Sequence, residues 1–480
     1  MSDPAARPLY ETIADALAER IARGDPASGE RLPSVRALMR LHRVGLATAA
    51  RALVELEARG LAEARPRSGF FVTKVAARPD DAPRPTATAA TPRPVEIDRL
   101  IATLFRAAAD RPVVALGAAE IDVDLLPRAE LAAATARVVR REGGRAIGYA
   151  PADGDPDLRR AVARRMNARG CDVAASDVVI TAGESDAMGL ALRALTRPGD
   201  TVAIESPTYF GILQWLEAAG LEAVEIATDP VEGIDVAALD RVAAERPLAA
   251  VVLNPTFHNP FGSAMPPERM AALIEVARRR DLAIVEDDVY GELHFGARRR
   301  PLESFDPDGR VIYCSSFSKT LVPGFRIGWC LPGRHAEAFA RARPARNFGQ
   351  PALTQMVLAE YLIGRRHDRH LDALRALFRA QRERIRELVL THFPPGTRIS
   401  RPEGGYVYWI EVPPPFAALA LHAAAAREGI SIAPGPLFSP SGRFEGAFRL
   451  SLGRRLDARV EAAIRRLGRL ATEAATDHSS

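Results

Sequence analysis

The sequence predicts an α/β protein in which a small helical N-terminal domain precedes a large domain built on a mostly parallel sheet. Three observations support this prediction. Short apolar strands alternate with amphipathic helices between residues 178 and 331. Residues 78–94 contain five prolines and no large apolar side chain. The chain has 480 residues, and its 47% hydrophobic and 26% charged residues are typical of a folded protein with two or three domains.

The proline-rich segment separates the two domains. A segment of this composition cannot form a core and favours extended polyproline conformations. The predicted boundaries are therefore residues 1–75 for the N-terminal domain, 76–95 for the linker and 96–475 for the large domain.

The composition excludes several classes of protein. No stretch approaches 18 uninterrupted apolar residues, and residues 1–20 carry acidic and polar groups where a signal peptide needs an apolar core. A cytoplasmic protein without membrane contact is expected. The three cysteines, Cys171, Cys314 and Cys330, have no C-x-x-C spacing, so neither a disulfide framework nor a metal site is predicted.

The N-terminal domain has the order of elements of a winged helix-turn-helix. Apolar spacing and turn residues predict three helices and a two-stranded wing, over residues 9–23, 35–41, 46–59, 62–64 and 69–73. Residues 31–74 hold nine lysines and arginines against three glutamates, an excess of six positive charges. Such an excess favours DNA, because neutralising phosphates releases counterions and drives binding. The alternative is an arginine-rich helical face that is simply solvated.

Three stretches of this domain closely resemble the GntR family of bacterial regulators. They are Gly-Glu-Arg-Leu-Pro-Ser-Val-Arg at residues 29–36, Gly-Leu at 60–61 and Ser-Gly-Phe-Phe-Val at 68–72. The resemblance covers residues 9–73 and implies DNA binding by Arg31, Arg36, Thr48, Arg51, Arg67 and Gly69. One departure is Gly45-Leu46-Ala47, which replaces the serine and arginine usual at the start of the third helix. The resemblance therefore implies the fold and phosphate binding more strongly than base recognition.

The large domain contains one lysine in an unusual setting. Of 65 basic residues only Lys74 and Lys319 are lysines, and Lys319 lies among small hydroxyl residues after the predicted strand 311–315. Arg326 follows seven positions later. An amine that forms an imine with an aldehyde needs a depressed pKa and a nearby phosphate clamp, and this layout supplies both. A lone lysine would otherwise be read as a solvated surface charge.

Two carboxylates, Asp287 and Asp288, follow the predicted strand 283–286. The carboxyl ends of strands are where α/β sheets bind ligands, and a carboxylate there could hold a pyridine nitrogen protonated. An exposed acidic turn or a helix-capping pair is the alternative for this motif alone.

Three further motifs are weaker. The turn at residues 258–262 offers the Asn259 amide to a phenolic oxygen, although Asn-Pro and Gly also simply form turns. The loop at 181–185 leads into the predicted helix 186–195, whose N-terminus suits a phosphate. Tyr209 could stack on a ring or be an ordinary core tyrosine.

In this order and spacing, the motifs resemble fold-type I pyridoxal-phosphate enzymes of the aspartate aminotransferase superfamily, from about residue 114 to 470. The resemblance implies a smaller C-terminal α/β subdomain and pyridoxal 5′-phosphate as cofactor, with Lys319 as catalytic residue. The implied cofactor-binding residues are Lys319, Asp287, Asn259, Tyr290, Tyr209, Glu184, Ser185, Ser316, Ser318, Arg326 and Tyr149.

Within this set, the resemblance implies an internal aldimine on Lys319, a contact of Asp287 with the ring nitrogen and of Asn259 and Tyr290 with the phenolic oxygen. Tyr149 would reach the phosphate of a partner subunit. Arg449 would bind the substrate α-carboxylate. Asp287 is preferred to Asp288 because it lies three residues before Tyr290.

Two departures from that superfamily concern the site. Glu184 stands where a neutral side chain is usual beside the phosphate, and Gly117-Ala118-Ala119 replaces a glycine-rich segment on the substrate side.

The joined layout resembles the MocR regulators over nearly the whole chain. That resemblance implies a head-to-tail homodimer that binds operator DNA and senses pyridoxal phosphate, or an amino acid or amine attached to it through aldimine formation. The alternative is a catalytically active aminotransferase that carries a DNA-binding domain. A structural relic without cofactor is a third reading, against which the presence of Lys319 argues.

Overall fold

The computed structural model describes residues 8–22, 26, 30–58, 61–65, 68–72, 81–88, 90–106, 114–343 and 349–477. The chain divides into two compact units, and the larger unit begins at Asp81. Among the described residues there is no helix with the length and apolar content that a membrane span requires.

The smaller unit has the predicted winged helix-turn-helix order. Its elements are α1 (Leu9–Ala22), α2 (Val35–His42), α3 (Leu46–Ala58), β1 (Ala62–Arg65) and β2 (Gly69–Val72). Ser34 caps α2, because its Oγ accepts a hydrogen bond from the Ala37 amide at 3.2 Å. The helix ends at His42, and the next residue, Arg43, adopts the left-handed conformation with φ 52°. The antiparallel pair β1–β2 forms the wing.

The core of the smaller unit is formed by one face of each helix. Ile13 and Leu17 of α1, Leu38 of α2, and Leu53 and Leu56 of α3 belong to a single cluster of buried side chains. Because these residues recur at helical spacing, they fix which face of α3 is turned inward and leave the other face at the surface.

The larger unit is built on a mixed sheet with the strand order β3-β7-β6-β9-β10-β11-β12-β5, and β8 pairs with β7. These strands are β3 (Arg93–Pro94), β5 (Val179–Thr181), β6 (Thr201–Ser206), β7 (Glu222–Asp229), β8 (Gly233–Ile234), β9 (Ala250–Leu253), β10 (Ile284–Asp287), β11 (Val311–Ser316) and β12 (Gly328–Leu331). The pairs β7–β6, β6–β9, β9–β10 and β10–β11 are parallel, whereas β12 runs antiparallel to both neighbours. The predicted α/β class with a mostly parallel sheet is confirmed.

Helices cover both faces of this sheet. Val285 packs in one cluster with Leu192, and its neighbour Ile284 packs in a different cluster with Leu273. Since successive side chains of a strand point to opposite faces, the sheet lies between two helical layers. The first helices are α4 (Asp98–Arg106), α5 (Arg128–Ala146), α6 (Pro156–Asn167), α7 (Glu184–Leu195), α8 (Phe210–Ala218), α9 (Val236–Glu245) and α10 (Pro267–Arg280).

The C-terminal part of the larger unit has its own four-stranded sheet, in the order β13-β14-β17-β16. Its elements are α11 (Ala336–Ala342), α12 (Ala352–Tyr361), α13 (Arg366–His392), β13 (Arg398–Ile399), β14 (Val407–Glu411), α14 (Ala418–Arg427), β15 (Ile430–Ser431), β16 (Ala433–Pro434), β17 (Ala447–Ser451) and α15 (Ala458–Asp477). A short parallel pair joins β15 to β4 (Val114–Ala115).

The second half of the predicted linker lies on the larger unit. Pro83 is buried, the Thr86 hydroxyl donates a hydrogen bond to the Ser206 carbonyl at 2.6 Å, and β3 pairs with β7. This differs from the extended linker expected over residues 76–95. The prolines allow the pairing because β3 is an edge strand, where a missing amide donor can face away from the ladder.

Candidate functional site

The carboxyl ends of β10 and β11 and the N-terminus of α7 define the candidate site. Asp287 ends β10, Ser316 ends β11 three residues before Lys319, and Glu184 begins α7. Ligands of open α/β sheets bind at this edge because helix N-termini and strand ends converge there. The structure therefore brings together residues that the sequence places more than 130 positions apart.

Lys319 offers an amine at the centre of this site. Its Nζ donates a hydrogen bond to the Ala119 carbonyl at 2.8 Å, so the segment 117–119 forms one wall of the site. Burial lowers the pKa of Lys319, and Arg449 lowers it further, whereas Glu184 and Asp287 oppose the shift. A lowered pKa increases the fraction of neutral amine, which is the nucleophilic form.

The two neighbouring carboxylates have different surroundings. Asp288 pairs with the buried guanidinium of Arg169 at 2.5 Å and accepts a hydrogen bond from the Tyr313 hydroxyl at 2.8 Å. Asp287 accepts one backbone hydrogen bond, from Val289 at 3.3 Å. Burial raises the pKa of Asp287 to about 7, and the nearby charge of Asp288 adds to the shift. The assignment of a cationic ring nitrogen to Asp287 stays a prediction, and the engagement of Asp288 elsewhere favours it.

Several buried polar atoms of the site have no hydrogen-bond partner among the described residues. They include Tyr290 Oη, Glu184 Oε1 and Arg449 Nε. Burial also raises the pKa of Tyr290, so its phenol stays protonated and can donate a hydrogen bond. A buried polar atom without a partner is unfavourable by about 1–3 kcal/mol. Their convergence fits a bound polar molecule, and with Lys319 it fits an aldehyde cofactor that carries a phenolic oxygen and a phosphate.

Arg449 of β17 is fully buried and held by two acceptors. Its Nη1 donates to Asn259 Oδ1 at 2.9 Å, and its Nη2 donates to the Gly117 carbonyl at 2.5 Å. Position 117 requires glycine, because a Cβ there would lie 2.6 Å from the Ile432 carbonyl carbon. Two residues singled out separately in the sequence, Asn259 and Arg449, are thus in direct contact.

An anion-binding corner forms around the start of α7. Gly183 precedes the helix with φ 88°, and a Cβ there would lie 2.7 Å from Arg326 Nη2. Arg326 Nη1 is 3.4 Å from Ser318 Oγ, and the Ser318 amide donates to Ser316 Oγ at 3.2 Å. Free helical amides, two hydroxyls and a guanidinium suit a phosphate.

The remaining predicted residues of the larger unit differ in how far they are exposed. Ser185 is exposed in the first turn of α7. Tyr209 is half-buried just before α8, and Gly211 leaves room for its ring, since a Cβ at 211 would lie 2.4 Å from that ring. Tyr149 is 100% exposed and therefore free to contact another molecule.

Two residues that support the site were not predicted from the sequence. Asn254, directly after β9, donates from Nδ2 to the Asp287 carbonyl at 2.5 Å and accepts from the Asn259 amide at 2.7 Å. Arg169 fixes Asp288. The position of Asn254 at a strand end was a usable signal, whereas nothing local distinguishes Arg169 from the many other arginines.

The smaller unit carries the predicted DNA-binding residues at its surface. Arg36 is exposed on α2, Thr48 is half-buried on α3, and Arg51 is exposed with its guanidinium 4.3 Å above the Tyr10 ring. In the wing, the Arg31 guanidinium lies beside Gly69, which has φ 96°. Arg67 lies outside the described residues.

Comparisons with known proteins agree with this division. Residues 9–72 match the gntR family of bacterial regulatory proteins, and residues 111–467 match the class I and II aminotransferases. The uncharacterized HTH-type transcriptional regulator YjiR of Escherichia coli K12 is 36% identical over 96% of this chain and 98% of its own length.

Two solved structures resemble the larger unit. The multiple substrate aminotransferase of Thermococcus profundus has a TM-score of 0.73 and 27% identity, over 78% of this chain and 95% of that one. The α-aminoadipate aminotransferase LysN of Thermus thermophilus, solved with N-(5′-phosphopyridoxyl)-L-leucine, has a TM-score of 0.71 and 30% identity, over 77% and 94%. The chain therefore belongs to the gntR-family regulators that carry a class I and II aminotransferase domain, the MocR-type architecture.

Proposed function

We propose that this protein is a DNA-binding transcriptional regulator whose larger unit binds pyridoxal phosphate and senses the cofactor or an amino compound that reacts with it. The observation that carries the proposal is the occurrence, in one chain, of an exposed arginine-rich winged helix and a site in which the half-buried Lys319 lies with the buried Asp287 and Arg449. Two separate binding units in one chain are what a sensor requires.

The residues of the larger unit divide the recognition of the cofactor between them. When bound, pyridoxal phosphate supplies an aldehyde that condenses with amines and a ring that accepts electrons. Lys319 offers an amine whose neutral fraction is increased, because burial lowers its pKa. Asp287 would hold a proton on the ring nitrogen, and the protonated Tyr290 phenol would donate to the phenolic oxygen. Ser316, Ser318, Arg326 and the amides at the start of α7 would bind the phosphate.

Arg449 would receive the carboxylate of an amino acid effector. Its side chain is oriented by Asn259 and Gly117, and its Nε has no partner among the described residues. A guanidinium fixed in this way pairs with a carboxylate through two parallel hydrogen bonds.

A homodimer belongs to the same proposal. Tyr149 is 100% exposed and Ile147 is 90% exposed. Large apolar and aromatic side chains at this exposure favour an interface with a second copy. A head-to-tail pairing would place Tyr149 at the phosphate of the partner's site.

An active aminotransferase is the second candidate function. It is favoured by the presence of both the half-buried Lys319, whose pKa is lowered, and an oriented Arg449, which are the groups that a transamination needs for the amine and the carboxylate.

One experiment separates the two functions. The affinity of the purified protein for promoter DNA is measured with and without pyridoxal phosphate and a panel of amines and amino acids, and turnover with amino donors and keto acids is measured in parallel. The regulator is expected to change its DNA affinity roughly 5- to 150-fold with one compound, the usual range of coupling between sites. If no compound changes DNA affinity while turnover is rapid, the aminotransferase reading replaces the regulator.

A further inference from the structure

Three exposed residues of helix α3 are apolar, which is unusual for a helix expected to read DNA. Leu46 is 63% exposed and Val54 is 52% exposed, and Ala47 is exposed beside them. None of the three belongs to the buried core of the smaller unit, to which α3 contributes Leu53 and Leu56 among others. These three residues, Leu46, Ala47 and Val54, are called the apolar stripe.

Few polar side chains are available next to the stripe. In the first two turns of α3 the polar residues are Thr48, which is half-buried, and Arg51, whose guanidinium lies over the Tyr10 ring at 4.3 Å. Further along, Glu57 accepts a hydrogen bond from the Ala64 amide at 2.9 Å. Among the described residues, the start of α3 therefore presents methyl groups rather than hydrogen-bonding groups.

The surroundings of the stripe carry positive charge. Arg36, Arg40 and Arg43 are exposed on α2 and in the turn that leads to α3, and in the described part of the chain none of them has a carboxylate partner. Unpaired arginines next to the N-terminus of a recognition helix suit the phosphate backbone of duplex DNA. This charge favours the DNA major groove, and not another protein surface, as the molecule that covers the stripe.

We propose that α3 recognises thymine by its C5-methyl group, and that Leu46 is the residue that reads it. In the major groove only thymine presents a methyl group, and apolar side chains contact it. The N-terminal residues of a recognition helix are the ones that reach base edges, and Leu46 is the first residue of α3. The inference rests on the proposed DNA-binding function and adds the base that the helix selects.

The test uses the full-length protein with bound cofactor. Binding sequences are selected from random duplexes, and each thymine of the selected site is then replaced in turn by uracil, which lacks only the methyl group. At one or two positions we expect about a fourfold loss of affinity, measured by fluorescence anisotropy. Fourfold corresponds to about 0.8 kcal/mol, the value of one buried methyl group.

Variants then assign the effect to Leu46. Leu46→Ala should abolish the uracil penalty at one position, whereas Leu9→Ala should keep it, since Leu9 is a comparably exposed leucine (58%) on α1. Leu46→Arg should replace the preference for thymine by one for guanine, because arginine pairs with the guanine edge.

The outcomes are distinguishable. A selected site in which uracil is tolerated everywhere, or in which Leu46→Ala keeps the full penalty, overturns the inference while leaving DNA binding intact. An effect of Leu46→Ala on self-association without a change in uracil sensitivity also overturns it, in favour of a protein contact. Failure of the wild type to bind any duplex would instead reject the proposed regulator.

Discussion

The two units of this protein display their functional residues in opposite ways. In the larger unit several candidate groups are buried, and Tyr290, Glu184 and Arg449 stand out because each has a buried polar atom without a partner among the described residues. In the smaller unit the predicted DNA-binding arginines Arg36 and Arg51 are exposed, where a charge without a carboxylate partner is normal. Because buried polar atoms are normally hydrogen-bonded, a buried polar atom without a partner indicates a binding site. The exposure of a charged side chain alone does not indicate a function, which has to be inferred from the neighbouring residues and from the ligand that binds there.

From this contrast we expect a substitution in the buried site to abolish one step, such as cofactor attachment, and a substitution on the exposed face to weaken DNA binding by a small factor. The largest expected effect concerns Lys319. Lys319→Ala should remove covalent attachment of pyridoxal phosphate completely, measured by loss of the visible absorbance band and of the pyridoxyl group that borohydride fixes on the protein. Lys74→Ala is the matched control, since these are the two lysines of the chain. Labelling of Lys74 would contradict the assignment.

The adjacent carboxylates Asp287 and Asp288 should respond differently to substitution, because only Asp288 is paired with a buried arginine. Asp288→Asn should lower the free energy of unfolding by about 3–5 kcal/mol, because it leaves the buried Arg169 charge without its partner. Asp287→Asn should not destabilise the cofactor-free protein but should weaken cofactor binding. Chemical denaturation of both variants without cofactor checks this, and equal destabilisation would remove the distinction between the two residues.

The raised pKa of Asp287 should also make the free energy of unfolding depend on pH. Because burial raises that pKa from 3.8 to about 7, the native state of the cofactor-free protein holds a proton that the unfolded chain releases. The free energy of unfolding should therefore fall as the pH rises from about 4 to about 7, by roughly 2–4 kcal/mol from this group. Asp287→Asn should flatten this part of the stability profile. A wild-type profile that rises across the interval, with the variant unchanged, would contradict the prediction.

Substitution of Glu184 tests whether its charge weakens the binding of the cofactor phosphate. Burial raises the pKa of this carboxyl well above its usual value, and Asp287 reinforces the shift while Lys319 and Arg326 oppose it. At a pH high enough to ionise Glu184, Glu184→Gln should tighten the binding of pyridoxal phosphate by about tenfold, or about 1.4 kcal/mol, because the carboxylate repels the phosphate. At lower pH, where the raised pKa keeps Glu184 protonated, the substitution should change the affinity little. Pyridoxal without the phosphate is the matched ligand and should bind both proteins equally. A gain for both ligands would point to packing instead of charge.

Different parts of the molecule were predictable from the sequence for different reasons. Strands β10 and β11 were predicted within one residue at each end, since both of their faces are buried and their sequences are continuous apolar runs. Strand β7 was missed because Glu225 interrupts its apolar run. The structure pairs that carboxylate with the hydroxyls of Ser206 and Ser439, the latter 214 residues away.

The candidate site shows the same limit. Lys319 was identifiable from its own neighbours and the scarcity of lysine. In contrast, the hydrogen bonds from Arg449 to Asn259 and to Gly117 join residues that are 190 and 332 positions apart. Such contacts are set by the packing of the C-terminal sheet and leave no local pattern. The site residues were therefore predictable from the resemblance to a family, whereas their hydrogen-bond partners became known only from the fold.

The smallest expected effect lies on the exposed face and separates two of its arginines. Arg36→Ala should lower the slope of log affinity against log salt by about 1, as expected when one phosphate contact is lost. Arg51→Ala should change the slope less, because its guanidinium already stacks on Tyr10. Tyr10→Leu removes the stacking partner and keeps Arg51, so it should move the slope in the opposite direction if Arg51 becomes free to reach a phosphate. Binding of a nonspecific duplex between 50 and 200 mM salt measures all three variants. Equal slopes in the wild type and Arg36→Ala would mean that Arg36 stays solvated and contacts no phosphate. The positive charge of the exposed face would then not explain DNA binding.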